Sequence, residues 1–294
     1  MLHHEPVMLS EVLSLLSNYP HAKILDGTLG LGGYSEVILE AFPGSEVLGI
    51  DRDNEAVKFS RERLKVYGSR FTAMLQNFGR LSEIPGIDGY DAYVFDLGVS
   101  NMQLALPERG FSFNADGPLD MRMNPDDDSC PTAAEILNNS DAETLTEIFR
   151  LYGEERYARK IASAIKRHPP ITRTSELVDL IRETLPQPVQ RKMGTHPARR
   201  VFQALRIYVN NETGELEALL KSLREVSAMR EAVILFVSYH SLEDRLIKRA
   251  FREWQGEGIG KVLTRHPMTP SPEETERNYK ARSAKLRAFF TSRD

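Results

Sequence analysis

Short apolar runs alternate with amphipathic stretches through the first hundred residues, the pattern of βα units laid around a parallel sheet. Strands are predicted at AKILDG (22–27), EVLGID (46–51), FTAMLQ (71–76) and DAYVFDLG (91–98). Between the first two, Tyr34 to Ala41 reads as a helix ended by Phe42-Pro43-Gly44. Between the second and third, Asn54 to Val66 sets Ala56, Val57, Phe59, Ser60 and Leu64 at helical spacing, and Tyr67-Gly68 stops it. Together these are half of a doubly wound sheet.

Beyond Gly98 the pattern changes. An acidic, loop-like segment runs through Asp126-Asp127-Asp128, and helical patterns follow at Ala142 to Leu151, Glu154 to Lys166, Ser175 to Thr184 and about Ala198 to Val226. Thr174 or Ser175 is positioned to cap the third of these. The next strand is AVILFVSYHS (232–241) and the last is KLRAFFTS (285–292). The chain therefore reads as an α/β domain split over residues 1–105 and 200–294, with a helical insertion at 106–199.

At 294 residues, 41% apolar and 27% charged, the chain is long enough for one large or two ordinary cores, which excludes a disordered tail or a mini-protein. No run approaches the roughly 20 apolar residues of a membrane span, and MLHHEPVMLSEVL has no leader pattern, so a soluble cytoplasmic protein is expected. Cys130 is the single cysteine, no Cys/His cluster has zinc-site spacing, and no metal is expected; His3 and His4 read as N-terminal packing or cleft residues. The net charge of −4 hides a strong asymmetry. Arg156 to Arg206 holds twelve basic residues against three acidic, and Arg245 to the end twelve against six, leaving about −19 for the remainder. A polyanion partner on one face is one reading; solvated helix faces are the other.

The segment ILDGTLGLGGYS carries the most chemistry. A strand ends at Asp26, Gly30 and Gly32 permit a tight turn that lets backbone approach a ligand, and a helix starts near Tyr34. Asp51 closes the second strand, where an acid accepts ribose hydroxyls or else caps the next helix. Gln76-Asn77-Phe78 follows the third strand, where a side chain can flank a base, and Asp96 ends the fourth beside the switch point. A dinucleotide wants G-x-G-x-x-G for its pyrophosphate, whereas here the third glycine directly follows the second. S-adenosyl-L-methionine, which has no phosphate, fits better; a dinucleotide enzyme stays open as the alternative.

The chain resembles the RsmH (MraW) family, bacterial methyltransferases of the exocyclic N4 of a cytidine in the decoding region of small-subunit 16S rRNA. The resemblance runs through HEPVMLSEVL, DGTLGLGG, GIDRD, QNFGRL, FDLGVS, ERGFSF to PLDMRM, YGEE, FQALRIYVN, YHSLEDR and RSAKLR. It implies a Rossmann-like, class I S-adenosyl-L-methionine-dependent methyltransferase fold with an inserted all-helical, RNA-recognition domain, acting on rRNA within the small ribosomal subunit. It also implies glycine-loop contacts at Gly32, Gly33 and Tyr34, a ribose acid at Asp51, a base contact at Phe78, and Asp96 and Gln103 completing the pocket. Tyr34 stands where the family usually has His, and Asn101-Met102 where it has Ser-Pro; a backbone contact at Tyr34 survives the change, an imidazole contact does not.

Methyl transfer from a sulfonium to an amine is an in-line displacement in which positioning supplies much of the catalysis. An acceptor for N4–H aims the nitrogen lone pair, and the candidates are the Asp96 carboxylate or a backbone carbonyl between Leu97 and Ser100. His240, in YHSLEDR, is a further candidate near the cleft, with Ser241 as cap of the following helix. A target base leaving its stack needs an aromatic platform, and Phe111 and Phe113 are either that or core. Arg109, Arg199 and Arg200, the Lys166-Arg167-His168 turn, and Arg282, Lys285 and Arg287 are the candidate RNA contacts, the last three alternatively solvated strand ends. A methyltransferase fold kept only as an RNA-binding scaffold is the non-enzymatic alternative, although a scaffold needs no nucleoside pocket.

Overall fold

The computed structural model describes residues 6–19, 22–127, 129–227 and 230–292; His3, His4 and Asp128 lie outside the described residues. In chain order its elements are α1 (Leu9–Leu16), β1 (Lys23–Asp26), α2 (Gly33–Ala41), β2 (Glu46–Asp51), α3 (Asn54–Arg63), β3 (Phe71–Leu75), β4 (Ala92–Asp96), α4 (Asn101–Ala105), α5 (Ala133–Asn139), α6 (Ala142–Leu151), α7 (Ala158–Arg167), α8 (Thr174–Thr184), α9 (Gln187–Lys192), α10 (Arg199–Val209), α11 (Glu212–Ser227), β5 (Ala232–Ser238), α12 (Ser241–Gly256), β6 (Gly260–Val262), α13 (Pro272–Arg277) and β7 (Lys285–Thr291). They form two compact units, Met1–Gly98 with Thr213–Asp294, and Val99–Glu212.

The first unit is built on a seven-stranded sheet in the order β3-β2-β1-β4-β5-β7-β6. The five strands from β3 to β5 are parallel, while β7 runs antiparallel to β5 and β6 antiparallel to β7. Alternate residues face opposite sides of a strand, so each strand feeds two cores. On one side Ile24, Val94 and Leu235 pack with Val12, Ile38 and Val57 of α1, α2 and α3. On the other, Leu25, Leu48, Phe95 and Phe236 pack with Leu219 and Leu223 of α11 and with Phe251 and Trp254 of α12. Being covered on both faces is why β5 is apolar almost without interruption and buried at all its positions. This is a doubly wound, Rossmann-like α/β unit.

The second unit is helical, with its own core of Phe111, Leu137, Phe149, Ile161, Ile181, Phe202 and Leu205 among others. Its limits are 99 and 212 rather than 106 and 199, because Val99 and Leu104 at one end, and Val201, Phe202 and Val209 of α10 at the other, pack into that core. The single helix expected from Ala198 to Val226 is two, α10 and α11, broken at Asn210-Asn211. Asn211 takes a left-handed φ of 48°, which asparagine tolerates better than most side chains. Buried Asn210 holds the break: its carbonyl oxygen accepts Met123 N–H at 2.7 Å and its amide donates to Met121 O at 2.7 Å. The start of α8 also differs from expectation. Arg173 is its N-cap and Glu176 closes the turn, accepting the Thr172 and Arg173 N–H groups at 2.8 and 3.0 Å.

Candidate active site

The register of the sheet shapes the site. Asp26, the last residue of β1, pairs with Gly49 and Val94, whereas β2 and β4 each continue two residues further, to Asp51 and Asp96. Two residues of strand are roughly 6.6 Å. The order of connection reverses between β1 and β4, and there the central strand stops short, which leaves a notch with Asp26 on its floor and Asp51 and Asp96 on its two sides. Ligands of open α/β sheets bind at such a switch point, outside the carboxyl ends of the strands.

The chain leaves β1 through a glycine turn. Gly30 and Gly32 adopt φ of 50° and 79°, and a Cβ on Gly32 would lie 2.8 Å from Leu64 Cδ1, so glycine is required there by both backbone and space. The turn is tied to the neighbouring strand by Asp51, whose carboxylate accepts Gly30 N–H at 2.8 Å and Asp53 N–H at 2.9 Å. Asp53, not Asp51, caps α3, accepting Glu55 N–H at 3.1 Å. Of the two roles open to Asp51 in the sequence, the cap is thus taken by its neighbour. Phe78 follows β3, half-buried, with its ring edge-on to Phe95 at 6.4 Å. Asp26 accepts the Ser35 hydroxyl at 2.7 Å and Asp96 accepts the Tyr239 hydroxyl at 2.7 Å. The Asp96 amide donates to Thr28 Oγ1 at 2.6 Å, pinning the end of β4 to the turn after β1.

Three carboxyls sharing one sheet end are electrostatically costly. Burial pushes Asp96 up to about 7, with the charges of Asp26 and Glu243 adding to it and the Tyr239 hydroxyl and Lys280 opposing it. Burial also pushes Asp26 and Asp51 up to about 6, against the hydrogen bonds they accept from Ser35 and Thr28, and from Asp53 and Gly30. Lys280, half-buried, is pushed down to about 8 by desolvation, with Asp96 working the other way. Burial and the Asp96 charge hold the Tyr239 and Tyr34 hydroxyls well above the phenolic range. Such a pocket is rich in acceptors and negative potential. It suits a ligand with hydroxyl donors and a positive charge, and it opposes a pyrophosphate. A nucleoside bearing a sulfonium and an ammonium group matches this donor set.

The family model for the MraW methylase family matches residues 1–292. The chain belongs to that family. Among curated relatives, "Ribosomal RNA small subunit methyltransferase H" of Cyanothece sp. is 46% identical over 286 residues, covering 97% of this chain and 93% of the relative. The protein of the same name from Thermobifida fusca is 42% identical over 315 residues, covering 99% of this chain and 94% of the relative. Of solved structures, a SAM-dependent O-methyltransferase from Thermotoga maritima aligns with a TM-score of 0.41 at 11% identity, covering 100% of this chain and 69% of the other.

In this member of the MraW family, Gly32, Gly33, Tyr34, Asp51, Phe78 and Asp96 all belong to the first unit, Gly33 and Tyr34 opening α2. The Tyr34 side chain is buried and donates its hydroxyl to Val7 O, so only its backbone is free to face a ligand. Ser100 and Gln103 stand in the second unit, where they form the capping box of α4: Ser100 Oγ accepts Gln103 N–H at 3.2 Å and Gln103 Oε1 accepts Ser100 N–H at 3.0 Å. His240 rather than Ser241 is the N-cap of α12, with Glu243 accepting the Tyr239 and His240 N–H groups at 2.9 and 3.3 Å.

Several expected RNA contacts are internal instead. Arg109 is buried, and its guanidinium donates to Met123 O at 2.9 Å and Arg122 O at 3.2 Å, which clamps a loop. Phe111 is a core residue of the helical unit, not a platform. Arg287 is buried against Asp244 at 2.6 Å, and Lys285 reaches the same carboxylate at 3.1 Å. Arg282 is exposed, and Phe113 is half-buried, its ring stacked on His196 with centroids 4.7 Å apart. Arg200 donates to Glu154 O at 3.3 Å, and Arg199 is half-buried beside it in α10. The Lys166 ammonium is tied to Asn138 O at 2.8 Å, whereas Arg167 and His168 stay exposed. Sequence reasoning missed Asp26, Tyr239 and Lys280 as neighbours of Asp96. The adjacency of Tyr239 to His240 at the end of an apolar strand was the available signal.

Proposed function

We propose that this protein transfers the methyl group of S-adenosyl-L-methionine to the exocyclic N4 of a cytidine in the decoding region of 16S rRNA, in the cytoplasm, with the rRNA presented within the small ribosomal subunit. The observation that carries the reading is the aspartate-lined notch above β1 in a chain of the MraW family. S-adenosyl-L-methionine supplies an electrophilic methyl on a sulfonium. Asp51 would accept the ribose hydroxyls with the lone pairs that Gly30 and Asp53 leave free, Phe78 would hold the adenine side, and Gly32 and Gly33 would give the amino-acid portion room beside the backbone. Asp96, oriented by the Tyr239 hydroxyl, accepts a hydrogen bond from N4–H and so directs the nitrogen lone pair; as the methyl group moves from sulfur to N4 the N4 proton passes late to the Asp96 carboxylate and from there to water, so no strong base is needed. The helical unit serves RNA recognition.

The test is transfer of labelled methyl to small subunits isolated from cells lacking the protein, with nucleoside analysis of the product. N4-methylcytidine is the expected product; cofactor binding with no transfer to any RNA would return the reading to a scaffold. Asp96→Asn that binds cofactor normally and keeps full turnover would remove the carboxylate from the mechanism.

A further inference from the structure

We infer that the outer face of α7 is a binding site for the RNA phosphate backbone, formed by Arg156, Arg159, Lys160 and Arg167 around Tyr157 and Ser163. The helix is strongly amphipathic: Ala158, Ile161, Ala162, Ala164 and Ile165 go into the core of the helical unit. The opposite side carries Arg159, Lys160, Ser163 and Arg167 at helical spacing, and with Arg156 and Tyr157 just ahead of the helix they line a shallow, open depression of about 440 Å³. From Arg159 to Arg167 the stripe runs roughly 12 Å at 1.5 Å per residue, and Arg156 extends it beyond the helix start.

Three features set this stripe apart from the other basic residues of the same unit. First, its four cations are exposed and have no hydrogen-bond or ion-pair partner among the described residues. Several other basic groups of the unit are spent internally, Arg173 on Asp116 at 2.6 Å, Arg122 on Asp120 at 2.8 Å and Arg206 on Glu212 at 2.7 Å, while exposed Arg191 and Lys192 of α9 are a pair rather than a row of four lining one surface. Second, no lining residue is acidic, and Glu155 on the same turn is buried, its carboxylate accepting Tyr157 N–H at 2.8 Å. Third, Arg159 and Lys160 occupy the first turn of α7, where the helix already presents its positive end and where acids, not bases, favour folding. Stability alone selects against that placement; an anion bound there reverses its sign. Guanidinium forks match phosphate oxygens bidentately, and the Ser163 hydroxyl adds a donor, while Tyr157 packs against the core beneath and braces the start of the helix.

The inference rests on RNA being the substrate, and the experiment separates the two. The full-length variant Arg159→Gln/Lys160→Gln is compared with Arg191→Gln/Lys192→Gln, which makes the same charge change on exposed residues of α9. Binding of a fluorescein-labelled single-stranded RNA is followed by anisotropy across a salt series, and S-adenosyl-L-methionine binding by calorimetry. The α7 pair is expected to weaken RNA roughly tenfold near physiological salt, to reduce the salt slope by about 1.4, and to leave cofactor affinity unchanged. On small subunits KM rises and kcat holds. Equal losses from both pairs would reduce the effect to net charge and overturn the site, as would competition by poly-glutamate as effective as by RNA. An α7 pair with wild-type RNA binding and transfer would overturn the site alone, whereas RNA binding without any methylated product would sink the proposed activity and spare the site.

Discussion

Replacing Asp96 with Asn is expected to stabilise the protein, and only above a definite pH. The carboxyl ordinarily ionises near 3.8 and is pushed up to about 7 in the fold, chiefly by burial. Each pH unit of displacement is 1.36 kcal/mol, so keeping Asp96 ionised in the folded chain costs about 4 kcal/mol at most. The sign follows from proton counting. Between pH 4 and 7 the folded state holds a proton that the unfolded state has released, so stability falls as pH rises through this window and levels off above it. Asn keeps the size of the side chain and an oxygen to accept the Tyr239 hydroxyl, and it carries no charge. Thermal melting of wild type and Asp96→Asn from pH 4.5 to 8.5 without cofactor should show the variant melting several degrees higher at pH 8. The gain should shrink through pH 7 to 5 and vanish near pH 4. A variant no more stable at pH 8, or a gain equal at pH 5 and pH 8, would refute the claim that the site stores electrostatic strain.

Other consequences can be checked with the same protein. Affinity for S-adenosyl-L-methionine, measured by calorimetry, should rise from pH 5.5 to 7.5 with uptake of the cation displacing protons from Asp26 and Asp51, both pushed up to about 6. Gly32→Ala, with φ at 79° and Leu64 Cδ1 2.8 Å from the new methyl, should cost about 1–3 kcal/mol in urea unfolding and weaken cofactor binding. Asp244→Ala strands buried Arg287 without its 2.6 Å partner and should cost about 3–5 kcal/mol, whereas exposed Arg282→Ala should stay within about 0.5 kcal/mol in the same titration.

The strands β1 to β5 are legible because each is a short, mostly apolar run bounded by turn residues, and the glycine turn because two glycines follow a strand that ends in aspartate. What the sequence concealed depends on contacts between distant residues. Arg287 and Arg282 look alike in RSAKLR, yet one is buried on Asp244 from α12 and the other is solvated. Phe111 and Phe113 alternate around one serine, and only the first is in the core. Asp51 is open to either of two roles in the sequence, and only the three-dimensional turn at Gly30, with Asp53 capping α3, assigns one. The break between α10 and α11 went unseen because a buried asparagine in a helical pattern carries no periodic signature until Met121 and Met123 arrive to use it.

The interruption of the sheet has a consequence for biosynthesis. Ala92 of β4 pairs in register with Val233 of β5, 141 positions later in the chain, and Val233 N–H donates to Asp91 O at 2.9 Å. At about 5–20 residues per second, a ribosome needs roughly 7–28 s to deliver the second strand after the first. Throughout that interval the nascent chain displays β4 with one edge unsatisfied, beside β1, while the helical unit, whose core is contained within residues 99–212, completes itself first. The order of emergence leaves the β4 edge open to wrong pairing until β5 arrives to cover it.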